Sequence, residues 1–200
     1  MSASRVALAE DLPALGDCLA SAFFDDPLWG PWSFPDPASR SEPLGRLMGF
    51  WADVAVPHGW VRMDADARTV AVWIPPGVAE MTPEQEARFE ALTGELFGGP
   101  REPELRALFE LFERHHPPEP CFYLSLWGTH RDHVGHGLGT ALLRECLELI
   151  DAAGEPAYLE STNPVNVERY EALGFVRRDS FARPGGPPVT TMWREPPVVS

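Results

Sequence analysis

Apolar side chains recur at helical spacing in the first quarter of the chain. Asp11 is placed to cap a first helix that ends before Pro27, and its apolar face is formed by Leu12, Leu15, Leu19, Ala22 and Phe23. A second helix is expected to stop near 57–59, and its apolar face is formed by Leu44, Leu47, Met48 and Trp51. The two predicted helices are joined by a loop rich in proline and aromatic residues.

The middle of the chain changes from a strand pattern to a helical one. Residues 60–76 alternate apolar and polar positions on both sides of 64–68, which predicts a β-hairpin. Thr82 and Gln85 form a capping-box start for a helix that runs to about Phe97. A further helix before the proline-rich break is indicated by Leu105, Leu108, Phe109 and Phe112.

The last eighty or so residues alternate strands with helices. Strands are predicted around 124–128 and over 157–160, a helix over 164–173, and two final strands around 183–188. Between the first two strands, a helix that stops at Gly154 buries Leu138, Leu142, Cys146, Leu149 and Ile150. We therefore expect an α/β chain of the α+β kind, with a mixed, mostly antiparallel sheet flanked by helices on both faces.

Composition limits the class of protein. The 200 residues are 44% apolar, and no linker divides them, so we expect a single domain over 1–200. The chain lacks an eighteen-residue apolar run, and its N-terminal apolar stretch contains acidic residues, so we expect a cytoplasmic protein without a membrane partner. The net charge of −14 repels phosphate backbones, which argues against nucleic acid as a partner.

The cysteines and basic residues carry no predicted chemistry of their own. Cys18, Cys121 and Cys146 are odd in number and lie outside any CxxC, which is typical of reduced, buried thiols. All 16 basic side chains are arginines, so a lysine Schiff base is excluded.

Residues 134–139, VGHGLG, join the strand around 124–128 to the next helix. The glycines alternate with His136 and Leu138, so the main chain can approach a ligand closely and donate several N–H groups at a helix N-terminus. Such a site suits pyrophosphate, although the glycines could equally serve backbone geometry alone. The loop matches neither GxGxxG nor GxxxxGK[ST], so the dinucleotide and P-loop motifs fit poorly.

A second motif, AYLESTNPVNVERYEALGF, covers residues 157–175. Together with the glycine loop it resembles the GNAT acyltransferase superfamily, with a likeness that extends over about 5–194. In layout, the phrases YLSL, LGTALL and RYEALGF are similar to the group containing puromycin acetyltransferase and related actinobacterial enzymes. The resemblance implies a GNAT domain that uses acetyl-CoA as co-substrate.

The resemblance also assigns the residues that would bind acetyl-CoA. The strand before the loop pairs with the pantetheine arm, the glycine loop holds the pyrophosphate, and the helix after the next strand completes the site. The implied contacts are Leu126, Trp127, Gly128, Val134, Gly135, His136, Gly137, Leu138, Gly139, Thr140, Asn163 and Asn166. The chain departs from the family at Val134, where Gln or Arg is usual, and at His136, where a basic residue is usual.

Two residues are candidates for catalysis. In the family a tyrosine at the position of Tyr170 hydrogen-bonds the departing thiolate. Glu160 ends a strand beside the glycine-loop strand and is a candidate general base, with an ion pair to an arginine as the alternative. Asn163 is simply explained as a helix cap, whereas Asn166 could reach the cofactor or face solvent.

Other polar and aromatic residues allow two interpretations. His130, His133 and His136 recur every third residue, but they lie in a loop without an HExxH helix, so exposed histidines near phosphate explain them better than zinc, and no metal is expected. Asp25 and Asp26 could hold a cation or form a turn before proline. One or two of four tryptophans are expected to line a pocket: Trp29, Trp32, Trp51 and Trp73.

These features together predict an acetyl-CoA-dependent N-acetyltransferase that acts on a primary amine of a small molecule by direct attack on the thioester. The alternative is a non-catalytic GNAT-fold module that binds an acyl-CoA or a metabolite, motivated by Val134 and His136. A hydroxyl acceptor, a longer acyl group and a homodimeric assembly stay open.

Overall fold

The computed structural model describes residues 4–99 and 101–197. Their strands form one seven-stranded sheet in the order β1-β2-β3-β4-β5-β7-β6. The strands are β1 (Arg5–Val6), β2 (Val61–Met63), β3 (Thr69–Ile74), β4 (Phe122–Thr129), β5 (Ala157–Ser161), β6 (Val176–Phe181) and β7 (Val189–Arg194). Only β4 and β5 are parallel neighbours within this sheet, so the predicted mixed, mostly antiparallel sheet is confirmed.

Six α-helices accompany the sheet in the described part of the chain. They are α1 (Leu12–Phe23), α2 (Ser41–Ala55), α3 (Pro83–Phe97), α4 (Glu102–His115), α5 (Leu138–Ala153) and α6 (Val167–Glu171). The predicted capping box at the start of α3 is present, since Thr82 accepts from the N–H of Gln85 and Gln85 accepts from the N–H of Thr82. Gly154 ends α5 in the left-handed conformation at φ 72°, as its sequence position predicts. No helix among these is long and apolar enough to cross a membrane.

Alternating strand residues supply two cores on opposite faces of the sheet. Val70 and Val72 of β3 pack with the cluster that includes α1, α2, α3 and α4. Ala71 and Trp73 of the same strand pack with the cluster that includes α5 and α6. The period of two in β3 thus confirms that helices cover both faces of the sheet. Trp73, fully buried in this second core, is not a pocket residue.

Two local predictions are wrong. Asp11 does not cap α1: its carboxylate accepts from the N–H of Leu8 and pairs with Arg5 at 2.6 Å, so it stabilises the short 3-10 turn before the helix. The loop after α1 is not wholly irregular, because Leu28–Trp32 forms a helical turn. Asp26 caps this turn by accepting from the N–H groups of Leu28 and Trp29, both at 3.0 Å.

Candidate functional site

The central parallel strands separate at the middle of the sheet. Their register runs from Phe122↔Ala157 to Leu124↔Leu159, and beyond Leu124 strand β4 continues without pairing to β5. One edge of β4 is therefore free of β5 from Ser125 onward, while its other edge still pairs with β3. The unpaired main-chain N–H and C=O groups at such a separation can form hydrogen bonds with a ligand that carries amide groups.

A β-bulge lies at this separation. Val72 pairs with Leu126 and Trp73 with Leu124, which leaves Ser125 as an extra residue on β4. Bulges bend a strand and redirect its side chains. Ser125, Leu126 and Trp127 line the cavity that opens here, in the region the sequence assigned to the cofactor. Gly128 lies deeper, because a Cβ there would be 2.5 Å from Ala22 of α1.

The glycine loop presents a row of main-chain N–H groups at the start of α5. Gly135 (φ 90°) and Gly137 (φ 74°) adopt left-handed conformations that other residues rarely take. Within the described residues, the N–H groups from 135 to 140 donate no hydrogen bond to the protein. Unpartnered N–H groups at a helix N-terminus bind anions, so the loop has the form of the predicted phosphate cradle.

Gly139 is explained by close packing and not by a left-handed backbone conformation. A Cβ at this position would lie 2.6 Å from Oγ1 of Thr129 and 3.1 Å from Cζ2 of Trp127. The carbonyl of Gly139 also accepts from the indole N–H of Trp127 at 3.2 Å. This glycine fixes the start of α5 against β4, and so places the cradle beside the strand opening.

Val134 and His136 both face solvent on the cradle. Val134 is 58% exposed, so its side chain is accessible to a ligand bound at the cradle. His136 is exposed as well, and Leu138 and Thr140 are half-buried at the first turn of the helix. The sequence-predicted loop residues are therefore brought together, with Val134 where the family resemblance leads one to expect Gln or Arg.

A cavity of about 840 Å³ opens from the strand separation toward α3 and α4. Trp29 and Trp51 line it, so two of the four candidate tryptophans face the pocket as expected. Trp51 packs against Phe89 of α3 with ring centres 4.9 Å apart, and Phe89 packs edge-on against Phe109 of α4 at 5.1 Å. The walls are therefore aromatic surfaces held in place by one another.

Tyr170 lies on α6 and lines this cavity beside Trp127, with ring centres 5.4 Å apart. The residue is 8% exposed, and its hydroxyl has no hydrogen-bond partner among the described side chains and main chain. Burial raises the pKa of Tyr170 well above its ordinary value, and the nearby Asp26 carboxylate raises it further. The hydroxyl is thus a protonated donor that bonds no acceptor among the described residues.

Asn163 and Asn166 sit at the start of the segment that carries Tyr170, and both line the cavity. The side chain of Asn163 accepts from the N–H of Val165 at 3.2 Å, which confirms the predicted cap. Asn166 is half-buried and its Oδ1 accepts from Arg169 at 3.1 Å. The amide of Asn166 is therefore oriented by the protein, with its N–H groups available to a ligand.

Glu160 follows the last residue of β5 that pairs with β4, and it faces the same cavity. Its side chain is only 3% exposed, and its ion-pair partner is the imidazole of His116, with Nδ1 at 3.9 Å from Oε1. The structure pairs it with no arginine among the residues that it describes, so that alternative is wrong. Glu160 is a buried carboxylate at the point where the strands separate.

His116 and Glu80 join Glu160 in the cavity wall, and sequence reasoning missed both. Burial lowers the pKa of His116, but the neighbouring carboxylates of Glu160 and Glu80 outweigh it and leave the pKa raised. Burial raises the pKa of Glu80, a shift that His116 opposes and Glu160 reinforces. His116 therefore lies between two carboxylates, and its charge and that of Glu80 depend on one another.

Asp26 supports the site without lining it. Besides capping the turn at Leu28, it accepts from the hydroxyl of Thr162 at 2.8 Å, which ties the loop after α1 to the end of β5. Its carboxylate is buried, and burial raises its pKa. The turn interpretation of Asp26 is confirmed, because all these contacts are structural hydrogen bonds.

The three loop histidines do not form a metal site. Among residues 4–99 and 101–197, no three His, Cys, Asp or Glu side chains are arranged to hold a metal ion. His130 instead accepts from the N–H of Asp132 at 3.3 Å and packs its ring 5.9 Å from that of His133. Cys18 is buried, which raises the pKa of its thiol to about 12, so it stays protonated at neutral pH.

Comparison with known structures identifies proteins of the same fold. A structure described as histone acetyltransferase HPA2 and related acetyltransferase from Corynebacterium glutamicum is 25% identical, with TM-score 0.68 over 100% of this chain and 99% of its own. Arylalkylamine N-acetyltransferase 2 from Aedes aegypti is 15% identical, with TM-score 0.60 over 96% and 98%. The ribosomal-protein-S18-alanine N-acetyltransferase from Escherichia coli is 14% identical, with TM-score 0.56 over 100% and 97%.

The sequence also matches a family profile over more than half its length. The profile is that of the Acetyltransferase (GNAT) family, and it covers residues 60–175. This segment contains the bulged strand, the glycine loop, Glu160 and Tyr170. The narrower likeness to puromycin acetyltransferase stays a prediction. The chain belongs to the GNAT family of acetyltransferases.

Proposed function

We propose that this protein is an acetyl-CoA-dependent N-acetyltransferase that transfers the acetyl group to a primary amine of a small molecule. The observation that carries the proposal is the joining of three features: the anion cradle at 135–140, the strand separation at Leu124 and the unpartnered hydroxyl of Tyr170. Family membership supports acetyl transfer, and several GNAT neighbours are described as N-acetyltransferases.

The donor would be held by main-chain groups more than by charged side chains. The N–H groups of the cradle would bond the pyrophosphate, and the free edge of β4 would pair with the amides of the pantetheine arm. Ser125 and Trp127 would then flank the thioester, and main-chain N–H near Trp127 or Gly128 would polarise its carbonyl oxygen. Asn163 and Asn166 would face the arm from the other side.

The acceptor must lose a proton before it attacks. An amine of pKa near 10 costs about 4 kcal/mol to deprotonate at pH 7. Glu160 would receive that proton directly or through a water, and His116, whose pKa the neighbouring carboxylates raise, would pass it on. The amine nitrogen then bonds to the carbonyl carbon, and the carbon–sulfur bond breaks with its electron pair on sulfur.

Tyr170 would act on the leaving group. A thiol is a stronger acid than a tyrosine whose pKa burial has raised, so the tyrosine donates a hydrogen bond to the thiolate and does not surrender its proton fully. The proton that completes the thiol comes finally from the amine through solvent. The products are the acetylated amine and free CoA.

The test is a screen of primary amines with acetyl-CoA, read by release of free thiol. Matched alcohols test whether a hydroxyl can replace the amine as acceptor, and longer acyl-CoAs test which acyl group is transferred. The proposal expects thiol release that depends on an amine and saturates with both substrates. The second candidate, a non-catalytic acyl-CoA sensor, is favoured by the exposed apolar Val134 on the cradle. Acetyl-CoA binding without transfer to any amine would reject the transferase and support the non-catalytic sensor.

A further inference from the structure

The cavity carries much more negative charge than amine activation requires. Among the described residues that line it are seven glutamates, against one arginine and one histidine. Glu80 and Glu160 lie at the strand separation, and the arginine, Arg106, is already paired with Glu102 at 3.3 Å. The remaining four glutamates are Glu86, Glu90, Glu110 and Glu113.

These four glutamates form what we term the acidic rim, with two on α3 and two on α4. All four are exposed, and none takes part in an ion pair within the described residues, although arginines elsewhere on both helices do. Unpaired like charges on facing helices repel one another. A cationic ligand between the helices would relieve that repulsion.

An aromatic floor accompanies the rim, with one ring each from α2, α3 and α4. Trp51, Phe89 and Phe109 are half-buried, line the cavity and pack together with ring centres 4.9 to 6.4 Å apart. Such a surface suits an apolar chain and also attracts cations to ring faces. The cavity wall thus combines a buried carboxylate, an apolar floor and an exposed acidic rim.

The buried end independently points to a cation. The Glu160 side chain is 3% exposed and lines the cavity, where the imidazole of His116 and the hydroxyls of Tyr123 and Tyr158 surround it. Its only cationic partner within the described residues is His116, at 3.9 Å, which is longer than a hydrogen bond. An ammonium group in the cavity would pair with this carboxylate.

We infer that the acceptor is an amine with two cationic groups joined by an apolar spacer. One ammonium would lie at Glu160, where it is deprotonated and acetylated, the spacer would cross the aromatic floor, and the second cation would remain charged at the acidic rim. This inference rests on the proposed function for the reaction, but the binding of a dication can be measured without any transfer.

The experiment compares three ligands of one chain length by calorimetry: hexamethylenediamine, n-hexylamine and ε-aminocaproate. The structure predicts that the diamine binds about fivefold to tenfold more tightly than the monoamine at low salt, that the zwitterion binds most weakly, and that the diamine's advantage shrinks as salt screens the rim. Equal affinities for the diamine and the monoamine would overturn the inference.

Matched variants locate the second cation. The double variant Glu90→Gln, Glu110→Gln removes two rim charges, and Glu10→Gln, Glu148→Gln removes two exposed charges on elements that do not line the cavity. The rim variant should lose most of the diamine's advantage and leave hexylamine binding unchanged. If the distant variant loses as much, the effect is the overall field of the chain and the inference is wrong.

Thiol release with the same ligands keeps the two hypotheses apart. Selective diamine binding without transfer of the acetyl group rejects the proposed function and retains the dication site. Transfer to all three amines at similar kcat/KM, with similar affinities, retains the transferase and rejects the dication site.

Discussion

Replacing Tyr170 by phenylalanine removes one hydroxyl from the candidate site and little else. The ring packs 5.4 Å from Trp127 and 6.0 Å from Phe175, and phenylalanine preserves both contacts. The hydroxyl bonds no described group, so its loss leaves no orphaned partner in the core. We therefore expect the free energy of unfolding to change by less than about 0.5 kcal/mol.

The catalytic effect should be much larger. A hydrogen bond to a charged group contributes about 1.5 to 3 kcal/mol, which corresponds to a roughly 10- to 150-fold decrease in kcat if the thiolate is the acceptor. KM for acetyl-CoA should stay nearly constant, because the bond forms as the carbon–sulfur bond breaks. Steady-state thiol release over a range of acetyl-CoA concentrations measures both parameters.

Tyr158 provides the matched control. Its hydroxyl donates to the carbonyl of His115 at 3.1 Å, and the residue is fully buried. Tyr158→Phe should therefore lower the free energy of unfolding by about 1 kcal/mol and leave kcat within a few fold. A Tyr170→Phe enzyme with kcat within twofold of the natural chain, at unchanged stability, would refute the assigned role of the tyrosine.

Four further predictions follow from the contacts of single residues. Gly139→Ala should lower the free energy of unfolding by about 1 to 3 kcal/mol in urea denaturation, because its Cβ would lie 2.6 Å from Thr129; unchanged stability would contradict the packing argument. Val134→Arg should tighten acetyl-CoA binding roughly tenfold to a hundredfold by calorimetry, and equally tight binding by Val134→Leu would contradict the charge argument. The raised pKa of His116 contributes stability that is fully present below the ordinary value near 6.5 and is lost as pH rises through the folded-state pKa. His116→Gln should therefore flatten the dependence of the unfolding free energy on pH over that range. The same pH dependence in the variant and the natural chain would contradict this argument. Arg40→Met should lower the free energy of unfolding by about 3 kcal/mol, because the buried guanidinium donates hydrogen bonds to the carbonyls of three residues at 2.7 to 3.1 Å. A melting temperature equal to that of the natural chain would exclude this role.

Local sequence signals predicted most of the elements that build the site. The glycine spacing of 135–139 and the helical period after it predict the start of α5, because both depend on neighbouring residues only. The same holds for the cap at Asn163 and for the strand that carries Glu160. These short-range patterns predict the elements on which the candidate cofactor residues lie, while the residues themselves were assigned by resemblance to the GNAT family.

The cluster of Glu80, His116 and Glu160 depends on long-range contacts that no local pattern carries. Glu80 follows β3, His116 follows α4 and Glu160 lies near the end of β5, so they meet only when the sheet is assembled. The HHPPEP segment was interpreted as a break, although a histidine next to a strand that enters the site was an available signal. The helical turn at Leu28–Trp32 was missed for a similar reason, since Asp26 both caps it and bonds Thr162 far along the chain.

The most direct test of the account is to quantify free CoA and acetylated amine in the same reaction by mass spectrometry. The natural chain should form equal amounts of the two products from acetyl-CoA and hexamethylenediamine, and Tyr170→Phe should form both more slowly in the same ratio. Tight binding of acetyl-CoA with no acetylated amine from any acceptor tested would contradict the transferase and identify the chain as a binding module.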